Sequence, residues 1–318
     1  MPSWYAKPMD ALFARLHEVE RTWIVAIQTA LPDSWTPVFQ VLSVLGEDVA
    51  YLVLLTTVWV MVSRRNAARI ALVLFFSFFL NSLVKEALHQ PRPFQVFSDV
   101  LALGRAGGNG IPSGHAQSSL LFWGLLAAKA KRRWFTLSAV SLALAIAFSR
   151  VALGVHFPSD ILGGWTLALA LGTAALGYGD SVAAALKKLD ARAWVRGAAL
   201  FAGLGMAVHP SATSAAALGA WFGCVAGIAL SASRETETPS PESLSRRSRF
   251  AALTVILGGS AALYLGLQLA FPGEGASAFL FFRFVRYALI GIWVSGGVPM
   301  LHRLGKSPQA DASRAAKA

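Results

Sequence analysis

The sequence predicts an all-α, polytopic transmembrane helical bundle of about nine spans, preceded by an amphipathic helix. Three observations predict it. Of 318 residues, 55% are hydrophobic and 14% charged, against roughly 25% charged in soluble domains, and the mean hydropathy is +0.56. Apolar runs of spanning length recur along the chain. Basic residues fall in every second connection between those runs. This composition excludes a soluble globular protein, a disordered chain and a nucleic-acid binder. The net charge of +12 would suggest nucleic acid in a soluble protein; here it follows from Lys and Arg gathering in cytoplasmic loops.

The first element is a helix over 10–31. Leu12, Leu16, Val19 and Trp23 share one face, and Arg15, Glu18 and Arg21 fall off it, so the helix lies on a membrane surface or packs on the bundle. Pro32 ends it. Asp10, Glu18 and Glu20 interrupt any signal-peptide core. Spans follow at about 36–62, 67–88, 116–128, 134–152, 158–178, 197–208, 214–232, 250–271 and 278–301. Crossing takes about 20 residues, so 116–128 and 197–208 are short. The chain divides into the N-terminal helix (1–32), a core (33–178), a four-span extension (179–302) and a tail (303–318).

Orientation comes from charge. Arg64, Arg65 and Arg69; Lys129, Lys131, Arg132 and Arg133; Lys187, Lys188, Arg192 and Arg196; Arg234, Arg246, Arg247 and Arg249; and the tail residues Arg303, Lys306, Arg314 and Lys317 all occupy alternate connections. The positive-inside rule makes that side the cytoplasm, which puts the tail inside and the N-terminus outside. Lys85, Arg92, Arg105, Arg150, Arg283 and Arg286 break the rule at the outer ends of spans. Either they snorkel to the interface or they surround an anion.

Three outer-side segments carry candidate chemistry: Lys85 with Arg92-Pro93; Pro112-Ser113-Gly114-His115; and Ser149-Arg150, His156 and Asp160. Gathered, they give three fixed cations suited to phosphate oxygens, a Ser-Gly entry into a helix whose free N–H groups favour an oxyanion, and two histidines with an acid. One His can attack phosphorus, the acid can hold its tautomer, and the other His can protonate the leaving oxygen.

These residues and spacings match the three-part signature of the type 2 phosphatidic acid phosphatase superfamily, and the span layout also resembles glucose-6-phosphatase. The resemblance implies His156 as nucleophile forming a phosphohistidine, Asp160 as its orienting acid, and His115 as general acid. It implies phosphate binding by Lys85, Arg92, Arg150, Ser113 and Gly114, with no metal and no cofactor, at the outer face. The expected function is hydrolysis of a phosphate monoester or diphosphate, most simply lipid-borne: undecaprenyl diphosphate, phosphatidate, phosphatidylglycerophosphate or lipid A. The expected location is a bacterial inner membrane, with the site periplasmic or extracellular. Three alternatives stay open: a phosphotransferase to a lipid or sugar acceptor, a soluble sugar-phosphate phosphatase, and a lipid transporter without enzymatic activity. The expected partners are the phosphorylated substrate and membrane lipids, with no nucleic acid; oligomeric state leaves no signal.

Other features carry two readings. Arg283 and Arg286, three apart on one helix face, read either as a secondary anion contact or as snorkelling cations. Glu47 and Asp48 interrupt the first span, where acids are costly, or mark its true start. His89 reads as peripheral, and His209 as a rim residue or a plain helix end. Gly104 to Gly110 form an outer loop, read as a gate or as irregular linkage. Cys224 stands alone in an apolar run, which leaves no intramolecular disulfide.

Overall fold

The computed structural model describes residues 8–232 and 244–304. Among the described residues the chain is helix and turn, without strand. The helices are α1 (Pro8–Ala30), α2 (Thr36–Val44), α3 (Asp48–Met61), α4 (Arg64–Leu88), α5 (Pro93–Val96), α6 (Gly114–Ala130), α7 (Arg133–Ala152), α8 (Pro158–Leu186), α9 (Ala191–Val208), α10 (Ala212–Ala232), α11 (Arg246–Ala270) and α12 (Phe279–Leu304). Lys7, Arg234, Lys306, Arg314 and Lys317 lie outside the described residues.

Local chemistry sets the helix ends. Ser113 caps α6 through its side chain to Ala116 N–H, Asp190 caps α9 to Ala193 N–H, and Ser245 caps α11 to Ser248 N–H. Pro158 opens α8 at the first helical position, where its missing N–H costs nothing.

Each expected span coincides with helix. Among the described residues six helices are long and apolar enough to cross a membrane, and a seventh crossing is available if the stretch through α2 and α3, bent by 54°, is one span. The sequence count was nine. The two that fall short are α6, with 17 residues, and α9, which carries Arg192 and Arg196. At 1.5 Å per residue α6 covers about 25 Å, less than the hydrocarbon core of about 30 Å. Its first turns also bury Gln117, Ser118 and Ser119.

The chain forms two compact units, one of Met1–Leu52 with Phe76–Asp180, the other of Val53–Phe75 with Ser181–Ala318. Residues 53–75, inside the core expected at 33–178, thus group with the C-terminal extension. In the first unit a buried cluster of Ile24, Val100, Ala116, Ala147, Val151, Phe157 and Ile161 ties α1, α6, α7 and α8 together. The apolar stripe of α1 does not take part: Leu12 and Trp23 are 69% and 53% exposed, while Ala14, His17, Glu20 and Ile24 face inward. The side of α1 that packs is therefore the one the stripe leaves free.

In the second unit α10 and α12 lie in close backbone contact. Gly219, Gly223 and Gly227 recur at helical spacing along α10. A Cβ there would meet the carbonyl oxygens of Phe284 and Ala288 and the hydroxyl of Ser295. Without hydrophobic drive between helices in lipid, such small-residue approach is what holds them. Replacing Gly223 with Val should therefore destabilise the fold at the upper end of the about 1–3 kcal/mol typical of overpacking. The thermal midpoint in detergent checks this, and an unchanged midpoint contradicts the close approach.

Candidate active site

The signature residues converge within the first unit. Arg150 lies in the last turn of α7. The helix ends at Gly154, whose φ of +68° is left-handed and whose missing Cβ leaves room for Leu101 O and the Gln28 side chain. The chain reverses, His156 follows, and α8 starts at Pro158, so His156 and Asp160 stand four apart across a helix start. Asp160 Oδ2 accepts from His156 Nδ1 at 2.9 Å and from Phe157 N–H at 3.0 Å. On the opposite side of the ring, Arg92 Nη1 lies 3.0 Å from His156 Nε2. Arginine has only donors, so Nε2 must accept and Nδ1 must carry the proton. The two neighbours together fix one tautomer, with the Nε2 lone pair toward the cations.

The three cations are held by a single loop. Arg92 donates from Nε to Gly108 O at 3.0 Å, from Nη2 to Gly107 O at 2.8 Å, and from Nη1 to Val155 O at 2.8 Å. Lys85 Nζ donates to Asn109 O and Gly110 O, both at 2.8 Å. Arg150 Nη2 donates to Arg105 O at 3.2 Å, and its Nη1 donates to Ser43 Oγ. Carbonyl dipoles of 105–110 thus occupy positions that anionic oxygens would take. The loop read as gate or linkage is a wall of the site. Gly110 has no alternative there, because a Cβ would approach Pro91 O and the Asp160 carboxylate. His89, read as peripheral, ends α4 in a left-handed conformation and lies 3.3 Å from the Asn109 side chain.

Ser113 brings the third segment in. Its N–H donates to Asp160 O at 2.8 Å, docking the start of α6 on α8. Gly114 and His115 open α6, so their N–H groups belong to the unpaired first turn. Asn81 on α4 donates to Pro112 O and to Gln117, and Gln117 donates to Ser77. This buried network fixes α6 against α4. Among the described residues His115 Nε2 is buried without a hydrogen-bond partner. Its ring lies under Gly46, where a Cβ would come within 2.7 Å.

Sequence reasoning missed Ser43, Gly46, Ser77, Asn81, Gln117 and Glu20. Gly46 had one signal, its place beside Glu47 and Asp48, both exposed at the bend between α2 and α3. Arg283 and Arg286 lie in the second unit. Arg283 Nε donates to Ala212 O at 2.9 Å, and Arg286 lies over Tyr264 and Tyr287. His209 caps the C-terminus of α9. Among the described residues no group of three or more His, Cys, Asp or Glu is placed to hold a metal ion.

Among the described residues three rings are held neutral: burial first, then the charges of Arg150, Arg92 and Lys85, take His115 down to about 3. Burial first, then the charges of Arg92, Lys85 and Arg150, keep His156 well below the usual histidine range. Burial alone takes His17 down to about 4. Below pH 6.5 the unfolded chain binds protons at these positions and the folded chain does not, so stability falls on acidification. The slope reaches about 1.4 kcal/mol per pH unit for each ring at most. Glu20, raised by burial, opposes this. The thermal midpoint should drop steadily from pH 6.5 toward 5; a flat or rising midpoint contradicts the neutral burial of these rings.

Residues 66–180 match the sequence model of the PAP2 superfamily, and residues 215–309 match that of the PAP2 superfamily phosphatase, transmembrane extension. Over 113 residues the chain is 29% identical to phosphatidylglycerophosphatase B of Bacillus subtilis (strain 168), covering 32% of this chain and 53% of that protein. The chain thus spans about half the length of this curated relative. Two solved structures are similar at 22% identity and a TM-score of 0.46. The first transmembrane PAP2 type phosphatidylglycerolphosphate phosphatase from Bacillus subtilis matches over 53% of this chain and 88% of its own. Aquifex aeolicus LpxE matches over 49% and 94%.

Proposed function

The chain belongs to the PAP2 superfamily, and on that premise we propose that it is an integral-membrane phosphatase that hydrolyses a lipid-borne phosphate through a phosphohistidine. One observation carries the reading: an imidazole fixed in one tautomer between Asp160 and Arg92, with Lys85 and Arg150 gathered on the same loop as Arg92.

The chemistry proceeds in two steps. The phosphate displaces loop carbonyls from Lys85, Arg92 and Arg150 and takes further hydrogen bonds from the first turn of α6. Arg92 leaves Nε2 for a phosphate oxygen. His156 Nε2 attacks phosphorus, and the P–O bond to the lipid breaks. His115 Nε2, protonated on substrate binding, gives its proton to the departing oxygen. Asp160 stabilises the positive charge that builds on the ring by holding Nδ1–H. Water then attacks the phosphohistidine, giving its proton to His115, and Nε2 leaves as the neutral ring. The cations stabilise the charge on the equatorial oxygens in both steps.

The relative's name makes phosphatidylglycerophosphate the first substrate to test. The alternating basic connections support an outward-facing site. Arg283 and Arg286 serve a second anion, a lipid headgroup, in their own unit. Arg286 is 7% exposed, and its Nε is buried with no hydrogen-bond partner among the described residues, an arrangement that a bound anion relieves.

The test is phosphate release in detergent micelles with EDTA present. The panel holds phosphatidylglycerophosphate, phosphatidate, undecaprenyl diphosphate and glucose 6-phosphate. Wild type should release phosphate from a lipid, and His156→Ala should lose more than about a thousandfold in kcat. Release that survives His156→Ala removes the nucleophile assignment, and preference for the sugar phosphate removes the lipid reading. In the same assay Arg286→Gln should raise KM with kcat unchanged; an unchanged KM removes the second anion contact.

A further inference from the structure

Helix α1 buries a carboxylate and an imidazole on a face that could have been wholly apolar. A buried carboxylate is costly unless it is hydrogen-bonded. Glu20, 2% exposed, has both oxygens engaged by one residue: Oε1 accepts from Ser159 N–H at 2.6 Å and Oε2 from Ser159 Oγ at 2.8 Å. Ser159 is the second residue of α8, so the carboxylate sits at a helix N-terminus, where free N–H groups and the dipole favour an anion.

Other contacts of α1 fall on the same short stretch. The His17 ring stacks on Phe157, with centroids 3.8 Å apart and planes 3° off parallel. Phe157 N–H is itself a donor to Asp160 Oδ2. Gln28 donates to Ala152 O and Leu101 O and accepts from Leu101 N–H. Arg21 pairs with Asp99 at 2.9 Å. The segment from Ala152 to Asp160 is therefore gripped by α1 near both ends, with His156 between the grips.

We propose that Glu20 is a positioning residue. Through Ser159 it fixes the first turn of α8, and so the His156–Asp160 hydrogen bond. Asp160 cannot keep Oδ2 on both Nδ1 and Phe157 N–H if that turn frays or rotates. Loss of the grip leaves the cations in place and misplaces the nucleophile, an error of a kind that costs about a hundredfold in rate for about 1 Å. The catalytic consequence rests on the phosphohistidine reading; the geometric one does not.

The experiment uses full-length protein in lipid nanodiscs and reads two signals. The first is the hydrogen-bonded Nδ1–H resonance of His156, assigned by its absence in His156→Gln. The second is kcat and KM on whichever lipid phosphate of the panel the wild type turns over. Wild type shows the resonance, Glu20→Ala loses it to water exchange, and Glu20→Gln, which keeps an acceptor for Ser159 N–H, retains it. On turnover, Glu20→Ala lowers kcat by about a hundredfold with little change in KM, and Glu20→Gln recovers most of the rate. If Glu20→Ala fails to fold, Ser159→Ala takes its place; it removes the hydroxyl donor alone and weakens both signals. A resonance and kcat at wild-type level in the folded variant overturn the proposal. If no substrate is turned over, the phosphatase reading fails, and the resonance still decides whether Glu20 positions His156.

Discussion

Arg92 has to be buried beside an imidazole, with Lys85 and Arg150 close by; Asp160 acts on Lys85 and Arg92, and Glu47 on Arg150. Charges of one sign are not gathered out of water without compensation. In this chain the compensation comes from backbone carbonyls of 105–110 and Val155, from Ser43, and from a ring that stays neutral. The rest of the first unit follows from holding that arrangement. Gly154 turns the chain back so that Val155 O and His156 face Arg92. Gly110 lets the loop lie against the Asp160 carboxylate. Gly46 leaves room for His115, and the network of Ser77, Asn81 and Gln117 fixes the helix that carries it.

The same constraint supports the phosphate reading proposed above. In that reading an anion with several oxygens displaces carbonyls from the cations and brings the negative charge that dipoles only imitate. In the proposed mechanism it also draws Arg92 away from His156 Nε2 as the substrate seats. Arg92 is thus read as both a phosphate ligand and the cap on the resting nucleophile.

Much of this was legible in the sequence, for a chemical reason. Lys85, Arg92, His115, Arg150, His156 and Asp160 stood out because the proposed chemistry uses side-chain types that have few substitutes, and their spacings reflect a helix end, a turn and a helix start. Contributions made by backbone were not legible, since any residue has a carbonyl; the loop over 104–110 showed only its glycines. Glu20 and His17 were hidden because α1 was read from its apolar stripe, and that stripe is the exposed face. Ser43 and Gly46 are small residues within an apolar run and left no periodic signal. The helix positions followed from hydropathy, but α6 and α9 fall short of crossing on length and composition because one begins in the polar site and the other carries two arginines. In the second unit the glycines of α10 act through the partner backbone on α12, which one sequence does not show.

The central claim is that phosphorus becomes bonded to His156 Nε2. The most direct measurement is to mix the protein with a ³²P-labelled lipid phosphate that it turns over, quench within a turnover, and map the label by peptide mass. The account predicts an alkali-stable, acid-labile phosphoryl group on the peptide containing His156, absent in His156→Ala and longer-lived when His115 is replaced. Turnover with no label on protein, or label on any other residue, contradicts it.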